Sequence, residues 1–342
     1  MPTTMFLRHC WAALLVMLVA APALAADHAV VLMYHRFGED DVPLTNIRLE
    51  QFEAHLDHLE AEGYSVLPLA AVLDALADGK PLPEKAVAIT ADDAYLSVMT
   101  EAWPRLKARG WPMTLFVATD PVDQGLRRYL SWEQLRQLRD EGMVIGAHSA
   151  SHGHITFMDP EAARTDIARG VKRLRTELGQ SPDVFAYPFG EYSLRLRKTV
   201  ADMGFRAALG QHSGAVGRSR DRFDLPRFAM NERYGEISRF RTAVSTRPLP
   251  VRDATPEETQ LEAGARPTFA FRLDDGISPG AVTCYHSTGS SAVDLNIEGD
   301  RIAFEAPAPL PPGRSRFNCT LPDGAGGWYW FGRQFVTPGG KD

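Results

Sequence analysis

The stretch that decides the fold reads Ala86-Val87-Ala88-Ile89-Thr90-Ala91-Asp92-Asp93, an apolar run that ends in two adjacent carboxylates. A continuous apolar run of this length is typical of a strand buried on both faces, as in a parallel sheet. Similar runs recur on both sides of it, separated by segments with apolar residues at helical spacing. The predicted strands are residues 29–34, 65–67, 86–90, 113–117, 144–147, 184–187 and 207–209.

This alternation of strands and helices predicts an α/β fold with a parallel sheet, either open or closed into a barrel. In barrels of this kind the loops that follow the strands build the active site. Polar residues that can do chemistry follow four of the predicted strands. The sequence therefore predicts that one end of the sheet gathers His35, Asp92, Asp93, His148 and the turn at 188–190.

Length and composition set the limits of the domain organisation. The 342 residues are enough for one large and one small domain, and a net charge of −6 without a basic run argues against a nucleic-acid binder. We predict a catalytic domain over 26–246, a linker over 247–265 that is rich in Pro, Thr and Glu, and a small β-sandwich-like domain over 266–342. The last consists of short strand-like runs between Gly and Pro clusters.

Residues 1–25 are predicted to be a secretory signal peptide. Arg8 precedes an apolar stretch over 11–21, and Ala23-Leu24-Ala25 resembles a cleavage site. The alternative is a retained N-terminal anchor. We expect an exported protein, periplasmic or secreted, with no membrane span after cleavage. Cys284 and Cys319 would then remain, and an even number of cysteines in an exported chain suggests a disulfide, with two buried free thiols as the alternative.

The spacing of histidines and carboxylates suggests a metal site. His148 and His152 are four residues apart, which lets both imidazoles reach one cation, although a lone histidine is usually structural. One carboxylate and two histidines leave a zinc ion an open position, as catalysis requires. The adjacent side chains of Asp92 and Asp93 point to opposite sides of an extended backbone, so one can bind metal while the other acts as a base. For an Asp-Asp pair alone, the alternative is a solvated turn.

Three other features have both a functional and a plain interpretation. His35 ends the first strand and is either a general acid, kept protonated by a neighbouring carboxylate, or a half-buried structural residue. The stretch Tyr187, Pro188, Phe189 and Gly190 could wall a substrate groove and aim a backbone N–H at an oxyanion, or could be a simple turn. The aromatic residues over 328–330 could stack on sugar rings, but alternation along a strand should place at least one of them in the core.

Together these segments resemble the polysaccharide deacetylases of the NodB-homology type, carbohydrate esterase family four. Asp92-Asp93 matches the first family motif, usually T-F-D-D-G. His148-Ser149-x-x-His152 matches H-[ST]-x-x-H, and residues 185–190 match the third motif, usually R-x-P-[FY]-G. The resemblance covers residues 28–230. It looks closest to the exopolysaccharide deacetylases that act on poly-N-acetylglucosamine in biofilm formation.

This resemblance implies a distorted (β/α)7 barrel in which Asp93, His148 and His152 bind a divalent metal and Asp92 is the base. Zinc is the first expectation, and cobalt or nickel also suit these ligands. The implied reaction is hydrolysis of N-acetyl groups from an acetamido-sugar polysaccharide, with release of acetate. The alternatives are a catalytically weak or inactive glycan-binding homologue, an O-acetyl esterase and a small-amide hydrolase.

The sequence departs from the family pattern at two positions near the motifs. Ala94 replaces the usual Gly, so we expect that the backbone after the aspartates does not require a positive φ. Ala186 stands where many members carry an Arg that orients the base. Arg227 is the candidate replacement for that arginine.

Overall fold

The computed structural model describes residues 25–218, 221–289 and 291–340. The predicted signal peptide therefore lies outside the described residues, except for Ala25, which begins the short strand Ala25–Ala26. Within the described part of the chain, no helix is long and apolar enough to cross a membrane.

The first domain is a barrel that, within the described residues, has seven parallel strands. Neighbouring strands of the barrel follow chain order, and the extended segment from Leu225 to Ala229 closes the ring. Leu225 bridges Leu209 on one side, and the last strand pairs with the first at Leu32 and Met33 on the other. The strands are β1 His28–Tyr34, β2 Ala86–Asp92, β3 Thr114–Val117, β4 Val144–Ala147, β5 Val184–Ala186, β6 Ala207–Leu209 and β7 Phe228–Ala229.

The helices surround this barrel, and all but the second pack their apolar faces on the outward side chains of the strands. Ser131 caps one of them, since its Oγ accepts a hydrogen bond from the Gln134 N–H. The helices are α1 Leu49–Ala61, α2 Leu69–Asp78, α3 Trp103–Ala108, α4 Thr119–Asp123, α5 Trp132–Asp140, α6 Pro160–Leu178, α7 Leu194–Asp202 and α8 Ile237–Val244. A π-helical turn, Val98–Ala102, leads into α3.

Small side chains make the barrel narrow. Ala88 and Ala186 lie inside it with Phe116, and α2 packs on the same cluster. Gly146 lies against the Phe116 side chain. A Cβ at residue 146 would lie 2.5 Å from a carbon of the Phe116 ring, so no larger residue fits there. The interior is therefore a packed core in which few polar groups fit without a dedicated partner.

One predicted barrel strand is wrong. Residues 65–67 form only a short strand, Ser65–Val66, that pairs with the start of β2 and does not span the barrel. The seventh position belongs to β7, which was not predicted. Four further short strands are Arg36–Phe37, Asn46–Ile47, Leu82–Pro83 and Val216–Gly217.

The second domain consists of two four-stranded sheets around a Phe-rich core. The first sheet has the order β8 Thr246–Pro248, β15 Trp328–Thr337, β14 Gly313–Pro322 and β11 Thr283–His286. The second has the order β9 Val251–Thr255, β10 Thr268–Leu273, β13 Arg301–Glu305 and β12 Asn296–Glu298. Cys284 and Cys319 are cross-strand neighbours in the first sheet and form a disulfide.

The predicted linker over 247–265 is not a linker. It contributes an edge strand to each sheet, β8 and β9, and Gln260 bridges Val336. Proline is tolerated on an edge strand, where one side of the backbone needs no partner, so a proline-rich composition did not distinguish an edge from a linker. The second domain therefore begins near residue 246, directly after α8.

Candidate active site

Asp93, His148 and His152 come together at the carboxyl ends of β2 and β4. Asp93 Oδ1 lies 3.3 Å from His148 Nε2 and 3.0 Å from His152 Nε2. The three ligand atoms lie within 4.8 Å of one another, and they form the cluster of three potential metal ligands found among the described residues. One oxygen and two imidazole nitrogens are a donor set that suits zinc and related divalent metals.

The donor atoms are poised for a cation. Asp93 Oδ1 and His148 Nε2 are buried, and neither has a hydrogen-bond partner in the described structure. Burial alone would raise the pKa of Asp93, but the imidazoles around it hold that pKa well below its usual value. The carboxylate is therefore ionised, and its ligand oxygen faces the two ring nitrogens. These residues fit a divalent metal.

Backbone contacts fix the histidine loop. The Nδ1–H of His148 donates to the Ala186 carbonyl at 2.7 Å, which leaves the Nε2 lone pair facing Asp93. Asp166, on α6, accepts hydrogen bonds from the backbone N–H groups of Ala150 and Ser151. Asp166 was not among the predicted site residues, because a single acid within an amphipathic helix gives no signal in the sequence.

Asp92 ends β2 with its side chain inside the barrel, next to Arg227. The guanidinium binds both carboxylate oxygens, with Nη1–Oδ1 at 2.7 Å and Nη2–Oδ2 at 2.8 Å. Both side chains are fully buried. Burial would raise the pKa of Asp92, but the charges of Arg227, His148 and His35, together with the hydrogen bonds from Arg227, outweigh it and lower that pKa. Arg227 also donates to Thr90 Oγ1 and to the Gly210 carbonyl, so its position is fixed.

His35 lies beside the two aspartates. Its Nε2 is 3.9 Å from Asp92 Oδ2, and its side chain is 14% exposed. Burial lowers the pKa of His35, and the nearby charges of Asp93 and Asp92 do not fully offset this. The expectation that a carboxylate keeps the imidazole protonated at neutral pH is therefore wrong for the site as described.

Within the stretch from Tyr187 to Gly190, one residue belongs to the core and another borders the metal-ligand cluster, where it forms the wall of the site. Tyr187 is buried and its hydroxyl donates to the Phe223 carbonyl, so it is not a substrate contact. The N–H groups of Tyr187 and Gly190 bond to Leu209 O and Tyr187 O, and Pro188 has no N–H. The backbone N–H of Phe189 is therefore the candidate in this stretch for donating a hydrogen bond to an oxyanion.

Five of the six non-glycine residues with a positive φ in the described structure lie in this site. This left-handed region costs an ordinary residue roughly 1–2 kcal/mol. The expectation for Ala94 is wrong, since its φ is 63° although it lacks the freedom of glycine. The backbone strain is therefore concentrated at the metal-ligand residues, at their chain neighbours and at Phe189. The five residues are Asp93, Ala94, Ser149, His152 and Phe189.

The second domain supports this wall. Gln334 Nε2 donates to the Phe189 carbonyl at 3.0 Å, and the Arg314 guanidinium lies 5.2 Å from the centre of the Phe189 ring. The same ring packs against His152 at 4.6 Å and is stacked on His154 at 4.4 Å. His154 lies outside the ligand cluster, and its Nδ1 is 2.7 Å from a Glu191 oxygen. No prediction from the sequence linked the second domain to the site.

Comparisons with known proteins agree with this geometry. Residues 79–208 match the family model for polysaccharide deacetylase. The chain is 28% identical to YxkH of Bacillus subtilis (strain 168) over 198 residues, which cover 58% of this chain and 69% of that protein. It is 25% identical over 235 residues to the poly-β-1,6-N-acetyl-D-glucosamine N-deacetylase of Escherichia coli (strain K12), covering 56% of this chain but only 35% of that protein.

A solved structure shows the same fold. IcaB from Ammonifex degensii superimposes with a TM-score of 0.54 and 27% identity, covering 63% of this chain and 97% of that one. The shared part corresponds to the barrel domain in size. The matched family model and these relatives show that residues 79–208 of this chain belong to a polysaccharide deacetylase domain, a domain of hydrolases.

Proposed function

We propose that this protein is a metal-dependent N-deacetylase of an acetamido-sugar polysaccharide, which releases acetate. The observation that carries the proposal is the pairing of two units at one end of the barrel. One is the Asp93, His148 and His152 cluster with its unpartnered buried atoms. The other is the Asp92–Arg227 pair beside it. A metal ligand set next to an ionised, oriented carboxylate is what hydrolysis by an activated water requires.

In this mechanism Asp93, His148 and His152 would hold the metal. A divalent metal supplies Lewis acidity and lowers the pKa of water. Asp92 takes a proton from the attacking water, and Arg227 keeps both carboxylate oxygens in place. The lowered pKa of Asp92 keeps it ionised and ready to accept that proton at neutral pH. The Phe189 N–H would donate to the acetyl oxygen as negative charge develops there.

The leaving amine needs a proton, and we assign this step to His35. Because burial lowers its pKa, the resting imidazole is mostly neutral at neutral pH. It would therefore gain a proton that the attacking water releases through Asp92, whose Oδ2 lies 3.9 Å away. His35 then passes the proton to the sugar nitrogen as the C–N bond breaks, so the products are an amine and acetate.

A relative supports this choice of substrate class, because the Escherichia coli protein named above is a poly-β-1,6-N-acetyl-D-glucosamine N-deacetylase. We extend that chemistry to this chain. The inactive-homologue alternative depended on the missing arginine of the third motif. Arg227, which reaches Asp92 from the β7 segment, supplies an equivalent contact.

We also propose that the protein acts outside the cytoplasm, in the periplasm or as a secreted protein. The leader-like sequence of residues 1–25 and the Cys284–Cys319 disulfide support this, because disulfides persist in oxidising compartments.

The test combines metal content with acetate release. We expect the purified protein to bind about one divalent metal and to release acetate from N-acetylated chitooligomers or N-acetylated poly-β-1,6-glucosamine. His148→Ala and His152→Ala should lose metal and turnover together, because two protein ligands hold the ion poorly. Turnover of O-acetylated xylan or a small amide, without acetate from any N-acetylated glycan, would contradict the proposal.

A further inference from the structure

A groove away from the metal-ligand cluster runs between α8 and the outer face of the first sheet of the second domain. It consists of two cavities of about 310 and 360 Å³ that share Trp330 and Thr242. One continues along Ser238 and Arg239 of α8, and the other continues across the sheet. The second cavity is lined by Thr242, Tyr285, Asn318, Thr320, Trp328 and Trp330.

Strand alternation explains why this face is aromatic. Trp328 and Trp330 point outward from β15, whereas Tyr329 between them packs on the core of the sandwich. Trp330 is held by its indole N–H, which donates to Asn318 Oδ1 at 3.0 Å, and by an edge contact with Phe228. Tyr285 is 47% exposed, although it is a large aromatic residue.

The chemistry of the groove suits a neutral sugar polymer. Tyr285 lies two strands away from Trp330 in the sheet, which corresponds to a separation of roughly 10 Å. Asn318 and Thr320 lie between them and can hydrogen-bond hydroxyl and acetamido groups, while the rings offer flat apolar faces. No acidic side chain lines either cavity. Aromatic plates separated by small polar groups recognise a chain of sugar rings better than an apolar peptide.

The groove and the Phe189 turn are connected by one strand of the second domain. The strand that carries Trp328 and Trp330 also carries Gln334, which holds the Phe189 carbonyl. From Gln334 to Trp328 is six residues, or roughly 20 Å of extended strand. Arg239 links the groove to the loop after β7, because its guanidinium lies over the Tyr234 ring at 4.7 Å. Residues 331–337 of β15 are buried, so a polymer that reached both the metal site and the groove would pass Arg239 and Tyr234 and would not follow the strand itself.

We propose that this groove is a second binding site for the acetylated glycan. It binds sugar rings that lie several units away from the one that is deacetylated. The inference rests on the proposed function, because it takes the same polymer as its ligand. It predicts that long substrates bind better than short ones and that the difference resides in Tyr285 and Trp328.

The test uses the full chain in two assays. Binding is measured in an Asp92→Asn background with N-acetylated poly-β-1,6-glucosamine and with N-acetylated chitohexaose. Adding Tyr285→Ala and Trp328→Ala together should raise the Kd for at least one of these probes about tenfold, the scale of a lost aromatic contact. With Asp92 intact, the double variant should hydrolyse an activated aryl acetate at the rate of the unchanged protein.

Ile297→Ala is the matched control, since Ile297 is a similarly exposed side chain on the other sheet, and it should leave both assays unchanged. If the double variant folds poorly, Tyr285→Ala alone must still weaken binding, because this side chain is largely exposed. A Kd within twofold of the control for both probes would overturn the inference. Failure of the unchanged protein to release acetate from any glycan would instead overturn the proposed function.

Discussion

The two adjacent aspartates should fail in different ways when each is replaced by asparagine. Asp92→Asn should keep the metal and lower turnover by ~10²-fold or more, the scale expected for a lost general base. Asp93→Asn should release the metal first, because Oδ1 of Asp93 faces both imidazoles. Metal analysis beside acetate release separates the two outcomes. Equal metal loss in both variants would show that the roles are assigned wrongly.

Arg227 is predicted to set the pH range in which Asp92 is ionised and can act as a base. Its charge lowers the pKa of that buried carboxyl, so Arg227→Met should raise the pKa and move the acid limb of the kcat/KM profile to higher pH. Turnover at neutral pH should fall at least tenfold. Loss of one partner of a buried pair should also cost about 3–5 kcal/mol of stability.

Arg333→Met provides the control for the Arg227 experiment. Arg333 is a buried arginine of the second domain whose guanidinium donates to the carbonyls of Pro256 and Glu257. Its replacement should lower stability without moving the pH profile. If the two variants give the same profile, Arg227 has only a structural role.

His35→Ala should distinguish amide from ester chemistry. An amine leaves poorly unless it is protonated, so deacetylation of an N-acetylated sugar should fall by ~10²-fold. An activated aryl acetate has a good leaving group and should be much less affected. Metal content should stay unchanged, since His35 lies outside the ligand cluster. If the rates of hydrolysis of both substrates fall equally, His35 is a structural residue or a substrate contact, and another group supplies the proton.

At the scale of elements, the turn Pro188–Gly190 depends on a strand of the other domain. Gln334→Met keeps the size of the side chain but removes the hydrogen bond to the Phe189 carbonyl. Because Phe189 has a strained φ of 57° and packs on His152, the turn should relax and turnover should fall about tenfold with the metal retained. Thr246→Val, which removes the hydrogen bond from a buried side chain of the same sheet to the Thr242 carbonyl of α8, should leave turnover unchanged.

Six of the seven barrel strands could be predicted because each lies in an apolar run of the sequence. The seventh could not, because Phe228–Ala229 is two residues long and follows Pro226, so it has no apolar run of its own. The edge strands β8 and β9 could not be predicted, because their proline-rich composition is also typical of a linker. Residue types and spacing alone suggested the metal site, whereas Asp166 and Gln334 act through contacts that only the folded chain creates.

At the scale of the whole molecule, the second domain is predicted to contribute to the active site, and its stability is tied to the disulfide. Cys284 and Cys319 are separated by 35 residues, and the loop-entropy model gives about 4 kcal/mol for closing such a loop. The native protein should contain no thiol reactive without reduction, apart from any contribution of Cys10 if the leader is retained. The variant with Ala at both cysteines should lose roughly this stability to urea.

Because the same sheet carries Gln334 and Arg314, unfolding of the second domain should also release the Phe189 wall. The variant with Ala at both cysteines should therefore lose turnover at the urea concentration where its second domain unfolds, even while the barrel remains folded. Intrinsic fluorescence of the tryptophans of β15, read beside turnover, should show both changes at one midpoint. Full turnover after the second domain has unfolded would mean that the barrel holds Phe189 without help.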